Sequence, residues 1–310
     1  MSGFIGALPG AVSQGIIWGI MAIGVFITFK IVDVADLTVD GSFCTGAAVS
    51  AALITAGVNA WVALIISFFA GILAGIVTGL LHTKLGIPAI LAGILTQLML
   101  WSVNLKIMGP QKAIPSRQFY VVIKSLNTAN TLLVLTGVIA ILTAALYWFF
   151  GTELGCSIRA TGCNLNMSRA QGINTDLNKM IGFALSNGIV AIAGSLLAQY
   201  QGSADIKMGA GAIVIGLAAV VIGEAVFSKI ARNFAVKLLS VVVGGILYFI
   251  IYQFVITLGM DTDFLKLLSA VVVAVFLAVP YCKKTYFSKK PKASSAVADE
   301  NGFDGGVANE

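Results

Sequence analysis

The sequence predicts an all-α integral membrane protein, and three observations lead to this prediction. Hydrophobic residues make up 58% of the chain and charged residues only 10%, whereas a soluble domain carries roughly one quarter charged residues. The chain contains 34 glycines, a residue that is frequent in membrane helices because it lets backbones pack closely. Apolar runs long enough for a hydrocarbon core of about 30 Å recur along the chain.

These apolar runs predict about nine transmembrane helices, within a range of about 8–10. The runs at 41–57 and 211–227 are short and rich in Gly, Ala and Ser, so we interpret them as candidate half-helices. Residues 1–282 are expected to form the transmembrane domain, and the polar tail 283–310 a disordered cytoplasmic segment. The predicted spans are 12–29, 41–57, 60–82, 87–105, 131–150, 180–200, 211–227, 235–258 and 264–281.

A polar segment at about 153–178 separates two of these spans and carries its own helix signals. Asn164 is a plausible N-cap for a short helix, and Gly172 is a natural stop after it. Arg159 and Arg169 give the segment positive charge, which indicates a cytoplasmic location. A structured helix at this place favours contact with another protein.

The distribution of basic residues between the two sides of the membrane predicts an orientation for the whole chain. With 153–178 inside, alternation of the spans places most basic residues in the cytoplasm, as the positive-inside rule requires. The net charge of +6 therefore reports orientation, and nucleic-acid binding is not expected. The loop 106–124 is the exception, because it falls outside and is basic. Either the number of spans is wrong there, or the loop is basic for a reason of its own. Its basic residues are Lys106, Lys112, Arg117 and Lys124.

The same order of features occurs twice in the chain. An apolar helix, a polar patch and a small-residue helix follow one another at 24–57 and again at 186–227. This order fits an internal pseudo-repeat with broken helices that face a central path. The alternative is that 30–41 and 201–209 are ordinary surface loops.

Three carboxylates lie in the first polar patch. Asp33, Asp36 and Asp40 are three and four positions apart, so they would share one face if the patch were helical. They could cap the next helix, line a path for a solute, or coordinate a cation. Asp40 followed by Gly41 and Ser42 suits a cap.

Glu224 ends an otherwise uncharged run, where a carboxylate is costly unless it is partnered or functional. It could be a functional group, or an interfacial residue paired with Lys229 or Arg232.

The chain has a single histidine, His82, with no cysteine nearby, so no metal site is expected.

Four side-chain amides fall within predicted spans: Gln97, Asn104, Asn187 and Gln199. Each needs a partner in the bilayer interior, which is commonly another helix, and a solute in a path could serve instead. The stripe Gly71, Gly75 and Gly79 predicts close helix packing, against either this chain or a second copy.

Several chemistries are absent from the sequence. No G-x-x-x-x-G-K-[ST] stretch occurs, so the chain is not expected to hydrolyse ATP by that route. A single histidine at a membrane edge makes a Ser/His/Asp set implausible, and no enzyme activity is expected. Energy for transport must then come from a partner ATPase or from an ion gradient.

Two sequence motifs resemble those of ABC importer permeases of the branched-chain amino acid and ribose type. The first motif consists of two runs, Arg159-Ala160-Thr161-Gly162 and residues 170–174. Together they are similar to the loop that couples such permeases to their ATPase. The second is the run 36–43 with its second-half counterpart 217–224. Runs 79–84 and 263–270 are similar to a compact subgroup linked with aromatic amino acid binding proteins. The resemblance covers about residues 10–281.

The resemblance implies a type II-like permease in a bacterial cytoplasmic membrane. Implied partners are a second permease copy in a homodimer, an ABC ATPase dimer that holds the ATP and Mg, an external solute-binding protein, and membrane lipid. The solute would be a small molecule, in the first place an amino acid, and the subgroup suggests an aromatic or other hydrophobic one. Another small amino acid or a sugar-like solute is left open. An ion-coupled secondary transporter, with Asp36, Asp40 or Glu224 at the ion, and a non-transport membrane protein are the alternatives.

Roles for individual residues follow from the resemblance together with the pattern. Coupling to the ATPase is expected at Arg159, Ala160, Thr161, Gly162, Arg169 and Gly172. The translocation path is expected at Asp36, Thr38, Asp40, Gly41, Ser42, Gln97, Asn104, Asn187 and Gln199. Docking of the binding protein is expected at Lys106, Lys112 and Arg117.

Overall fold

The computed structural model describes residues 2–114, 120–123, 128–227 and 233–257, together with positions 270, 271, 274 and 278. The described chain is a bundle of α-helices with one short antiparallel strand pair, β1 (Gln111–Ala113) and β2 (Ser203–Asp205). The helices are α1 (Ser2–Phe26), α2 (Thr38–Thr55), α3 (Ala60–Thr83), α4 (Ala89–Met108), α5 (Thr128–Gly151), α6 (Glu153–Cys163), α7 (Leu165–Ala170), α8 (Thr175–Gln201), α9 (Ala212–Phe227) and α10 (Phe234–Thr257).

Six of the described helical segments are long and apolar enough to cross a membrane: Gly6–Ile31, Ala60–Thr83, Ala89–Met108, Asn130–Gly151, Thr175–Gln201 and Phe234–Thr257. Helices α2 and α9 are less apolar or shorter, and they coincide with the two stretches interpreted as half-helices. The predicted span 264–281 and the tail 283–310 lie outside the described residues. The chain is therefore a multi-pass helical membrane protein, with six candidate spans in the described residues. The predicted total of about nine crossings stays a prediction.

The two central helices are α1 and α8. Their apolar windows are 78% buried, against 22% for α4 and α5, which present large apolar side chains outward. A bilayer surrounds such faces with lipid in place of water, so the outward apolar faces of α4 and α5 suit spans at the outside of the bundle.

The glycine stripe of α3 packs against α8 of the same chain. A Cβ atom at Gly71 or Gly75 would collide with the carbonyl oxygens of Asn187 or Phe183. The stripe therefore packs against a helix of the same chain. The sequence alone had left open whether the neighbour was this chain or a second copy.

Two long helices are followed by irregular backbone and then by a short helix. After α1, a π-helical turn spans Ile27–Ile31, and residues 33–36 are irregular before α2 begins at Thr38. After α8, Gly202 adopts a left-handed conformation with φ 73°, and α9 begins only at Ala212. Asp33, Asp36 and Asp40 do not share a helical face, because of the three only Asp40 lies on a helix.

The segment 153–178 lies at one end of the bundle and the strand pair lies at the other. Helix α8 separates them, and its 27 residues span about 40 Å. Asn164 caps α7 by accepting a hydrogen bond from Met167 N at 3.0 Å. Gly172 follows with φ 79°. Both local helix signals are confirmed.

Candidate functional site

The N-terminal ends of the two short helices meet at Asp40. Its Oδ2 accepts a hydrogen bond from Gly211 N at 2.9 Å, and its Oδ1 accepts one from Ile213 N at 2.9 Å. A carboxylate is favourable there, since the first amides of a helix lack intrahelical acceptors and carry partial positive charge. The interpretation that Asp40 caps its own helix is wrong. Helix α2 begins two residues earlier, at Thr38, so Asp40 caps α9 instead.

A small cavity of about 30 Å³ lies beside this junction, between α2, α4 and the turn before α9. Four of the predicted path residues line it: Asp40, Gly41, Gln97 and Asn104. Four further residues, which the sequence reasoning missed, complete the lining: Cys44, Trp101, Ile206 and Ala210.

Helical spacing could have identified two of the missed residues. Trp101 lies four positions after Gln97 and three before Asn104, so the three side chains share one face of α4. Cys44 lies four positions after Asp40 on α2 in the same way. Ile206 and Ala210 carry no such signal, because they lie in a turn whose position depends on α8 and α9.

Asn104, which lines the cavity, has a buried amide oxygen. Its side chain is 1% exposed, and within the described residues its Oδ1 has no hydrogen-bond partner. A buried acceptor without a donor costs about 1–3 kcal/mol. Gly41 holds α2 close to α4, because a Cβ atom there would lie 3.0 Å from Leu100 Cδ1. The cavity is thus narrow, and one of its lining residues has a buried acceptor without a donor among the described residues.

Four other predicted path residues form a separate, buried network. Asn187 Nδ2 donates to Asp36 Oδ2 at 2.7 Å, and Ser42 Oγ donates to Asn187 Oδ1 at 2.6 Å. The backbone N–H of Thr38 donates to Asp36 Oδ1 at 2.9 Å, and its hydroxyl contacts that of Thr78 at 2.8 Å. All four residues are buried, and the network joins α2, α3 and α8. In this conformation the network is closed within the bundle.

Gln199 lies apart from both groups, near the strand-pair end of α8. Its Oε1 accepts a hydrogen bond from Val122 N at 3.0 Å, and its Nε2 donates to Ser50 Oγ at 3.4 Å. Gln199 therefore connects α8 to α2 and to residues 120–123. Of the two roles expected for this amide, bonding to another helix and contact with a solute, the structure shows the first.

Glu224 forms an ion pair with Lys30, with 2.8 Å between Nζ and Oε2. This contact joins the end of α9 to the π-helical turn after α1. The expected partners Lys229 and Arg232 lie outside the described residues. Across the described ranges, no cluster of three His, Cys, Asp or Glu side chains is arranged to hold a metal ion.

The arginines of the 153–178 segment make contacts within the chain. The Arg159 guanidinium lies 5.7 Å from the centre of the Phe234 ring. Arg169 Nε donates to Thr175 Oγ1 at 3.1 Å, and its Nη2 lies 3.8 Å from Asp176 Oδ1. Both arginines remain exposed, and both also make contacts within the chain.

The remaining predicted coupling residues divide into inner and outer positions. Thr161 is buried and accepts a hydrogen bond from Asn178 at 2.9 Å. Gly162 packs against the carbonyl of Ile31, where a Cβ atom would collide. Ala160 and Gly172 are exposed. The sequence reasoning missed Met167, which is 60% exposed at the tip of the segment. The sequence signal for Met167 was an apolar residue between two polar ones, Asn166 and Ser168, in a polar segment.

The predicted docking residues lie at the opposite end of the bundle. Lys106 is exposed in the last turn of α4, and Lys112 lies half-buried in β1, opposite Ala204. Arg117 lies outside the described residues.

Six apolar helices among the described residues are long enough to cross a membrane, and two short helices meet at the half-buried Asp40. These features define a polytopic helical membrane protein. Residues 8–280 match the family described as branched-chain amino acid transport system / permease component, and the chain belongs to this family. The resemblance read from its motifs is thereby confirmed.

Two curated relatives extend the comparison. The chain is 37% identical over 278 residues to the tyrosine transport system permease protein of Clostridioides difficile (strain R20291), covering 90% of this chain and 91% of that one. It is 33% identical over 270 residues to the uncharacterized protein RP368 of Rickettsia prowazekii (strain Madrid E), covering 86% and 95%. No solved structure matches the chain.

Proposed function

We propose that this chain is the membrane-spanning subunit of an ATP-driven ABC importer in a bacterial cytoplasmic membrane. Two copies would form the transport unit, with a type II-like fold of about nine helices per copy. A separate ATPase dimer would supply the energy from ATP and Mg, and an external binding protein would deliver the solute. The chain itself would catalyse no reaction.

The observation that carries this proposal is the junction at Asp40. Asp40, in the first turn of one short helix, accepts hydrogen bonds from two amides at the start of the other, beside a cavity that Gln97 and Asn104 line. Broken helices that place backbone groups and polar side chains within the membrane are typical of solute sites in transporters. The repeated order of long helix, irregular backbone and short helix supports an internal pseudo-repeat.

The solute is proposed to be an aromatic amino acid, with tyrosine as the first candidate. The name of the Clostridioides difficile relative supports this choice. Trp101 supplies an aromatic face, and the Asn104 oxygen supplies an acceptor for an ammonium or hydroxyl group. A cavity of about 30 Å³ admits a group the size of a water molecule. Passage would therefore require α2 and α4 to separate, and the described conformation is taken as the closed one.

An ion-coupled carrier receives no support from the carboxylates that would have served it. Asp36 is bonded to Asn187, Asp40 to the start of α9, and Glu224 to Lys30. Each carboxylate has a protein partner that stabilises it without an ion.

The test is reconstitution in liposomes with the ATPase and the binding protein that are purified with the chain. We expect uptake of labelled tyrosine to require ATP inside and binding protein outside, with leucine and ribose as comparison solutes. Uptake that follows an imposed ion gradient in the absence of ATP would overturn the importer assignment.

Labelling of single cysteines tests the position of the path. The native cysteines (Cys44, Cys156, Cys163 and Cys282) are first replaced by Ser. A cysteine at Gln97 is expected to react with a water-soluble maleimide at a rate that changes with ATP, because the residue lines the cavity. A cysteine at Leu85, which is exposed outside the cavity, is the control and should react at a constant rate. Equal ATP dependence at both positions would contradict the proposed path.

A further inference from the structure

A second, larger cavity lies at the end of the bundle that carries the 153–178 segment. Its volume is about 250 Å³, and it lies where α1, α6, α9 and α10 meet. Lys30 precedes the last residue of the first span, and Lys237 lies in the first turn of the last described span. The cavity is therefore at the boundary between membrane and water.

Its charged lining is predominantly basic. Lys30, Arg159 and Lys237 line it with a single carboxylate, Glu224. Lys30 is the partner of that carboxylate at 2.8 Å. Within the described residues, neither Arg159 nor Lys237 has an ion-pair partner, so two positive charges remain uncompensated there.

The backbone adds to this positive potential. Helix α10 begins at Phe234, a residue that lines the cavity, and has 24 residues. The first amides of such a helix carry partial positive charge and favour anions. The Phe234 ring also holds the Arg159 guanidinium at 5.7 Å from its centre, which restricts how far this cation can leave the cavity.

An aromatic surface continues from the cavity along the membrane boundary. A neighbouring cavity of about 290 Å³ shares Arg159 and Phe234 and is also lined by Tyr147. Tyr147 is 57% exposed and Trp148 73% exposed. Tyr and Trp side chains at such a position are typical of contact with lipid headgroups.

We propose that the cavity between Lys30, Arg159 and Lys237 binds a phosphate group, and that the phosphate is the headgroup of an anionic phospholipid. The basic side chains and the start of α10 would hold the phosphate oxygens. The acyl chains would lie on the apolar faces beside Tyr147. A basic pocket between membrane helices on the cytoplasmic side is a recognised form of anionic-lipid site. The proposal depends on the membrane location of the chain and not on its solute.

Native mass spectrometry of the purified full-length chain tests the proposal. The chain is loaded with phosphatidylglycerol or phosphatidylcholine, and the retained lipid is counted as a function of lipid concentration. We expect selective retention of phosphatidylglycerol. Lys237→Gln should weaken it about fivefold, the effect of one basic residue near a membrane surface. Lys84→Gln is the matched control, because Lys84 is an exposed residue in the loop after α3 and lies outside the cavity.

Glu224→Gln gives a result of opposite sign, which a general loss of folding would not produce. Removal of the only carboxylate in the described lining should strengthen phosphatidylglycerol retention several-fold.

Competition by inorganic phosphate shows whether the bound phosphate group belongs to a lipid headgroup or to a free anion. Lipid that stays bound in excess phosphate supports the headgroup, whereas full displacement keeps the phosphate site and assigns it to a free anion. Equal retention of the two lipids with no phosphate binding, or equal effects of Lys237→Gln and Lys84→Gln, would overturn the proposal.

Discussion

The backbone N–H of Ile213 donates a hydrogen bond to Asp40 Oδ1 at 2.9 Å, across 173 positions of the chain. With the Gly211 bond to the other oxygen, a side chain of α2 provides the cap for α9. The first amides of a helix lack intrahelical acceptors, and Asp40 satisfies two such amides at the start of α9. The two short helices are consequently joined at their starts, and movement of one must displace the other or break these bonds.

Replacement of Asp40 by Asn is expected to lower both stability and transport. An amide side chain offers one acceptor oxygen and turns a donor toward the second N–H, so only one of the two bonds can persist. Loss of a helix cap costs about 1 kcal/mol, measured as a lower thermal unfolding midpoint in detergent. Asp33→Asn is the matched control, since Asp33 is exposed and has φ 59°, a conformation that Asn tolerates. Equal midpoints for the two variants would contradict the role of Asp40.

The contact between Asp36 and Asn187 predicts a strongly non-additive pair of substitutions. Asn187→Asp places a second carboxylate where an amide now donates at 2.7 Å. An uncompensated buried charge costs about 3–5 kcal/mol. Asp36→Asn combined with Asn187→Asp restores one donor and one acceptor. The double variant should therefore recover much of the unfolding free energy that Asn187→Asp loses. A double-mutant cycle of unfolding free energies measures this coupling. Simple additivity of the two effects would show that the side chains do not depend on each other.

Met167 is expected to contact the proposed partner ATPase. It is 60% exposed on α7, at the tip of the 153–178 segment, and an exposed apolar residue in such a place suits a protein interface. Met167→Asp should reduce co-purification of the ATPase at least tenfold, because a buried carboxylate without a partner opposes binding. Leu85→Asp, at another exposed apolar position, serves as the control. Unchanged recovery of the ATPase with Met167→Asp would place the interface elsewhere.

Lys106 and Lys112, at the opposite end of the bundle, lead to a prediction about the proposed binding protein. If they meet acidic groups of that protein, their contribution is electrostatic and is screened over about 8 Å at physiological salt. Lys106→Glu with Lys112→Glu should slow association and reduce its dependence on salt, measured with the permease in nanodiscs on a biosensor. Lys84→Glu should leave association unchanged, since Lys84 lies near the 153–178 end. Salt-independent association of the unmodified chain would rule out this electrostatic docking.

Local sequence was sufficient for features that are completed within a few residues. Asn164 and Gly172 begin and stop a short helix through bonds and dihedral angles of their own turn, so residue type alone predicts them. The long apolar helices could be predicted for the same reason, because a span needs only about 20 apolar residues in succession. The family could likewise be recognised from short motifs.

Tertiary structure decided which polar residues act together. The sequence proposed nine path residues as one group, whereas packing divides them into a cavity at Asp40 and Asn104, a closed network at Asp36 and Asn187, and Gln199 by itself. Partners such as Lys30 and Glu224 lie far apart in the chain. Their pairing depends on the relative positions of several packed helices. Helical periodicity tells which side chains share a face of one helix, but the helix that covers this face is selected by close packing of the whole bundle.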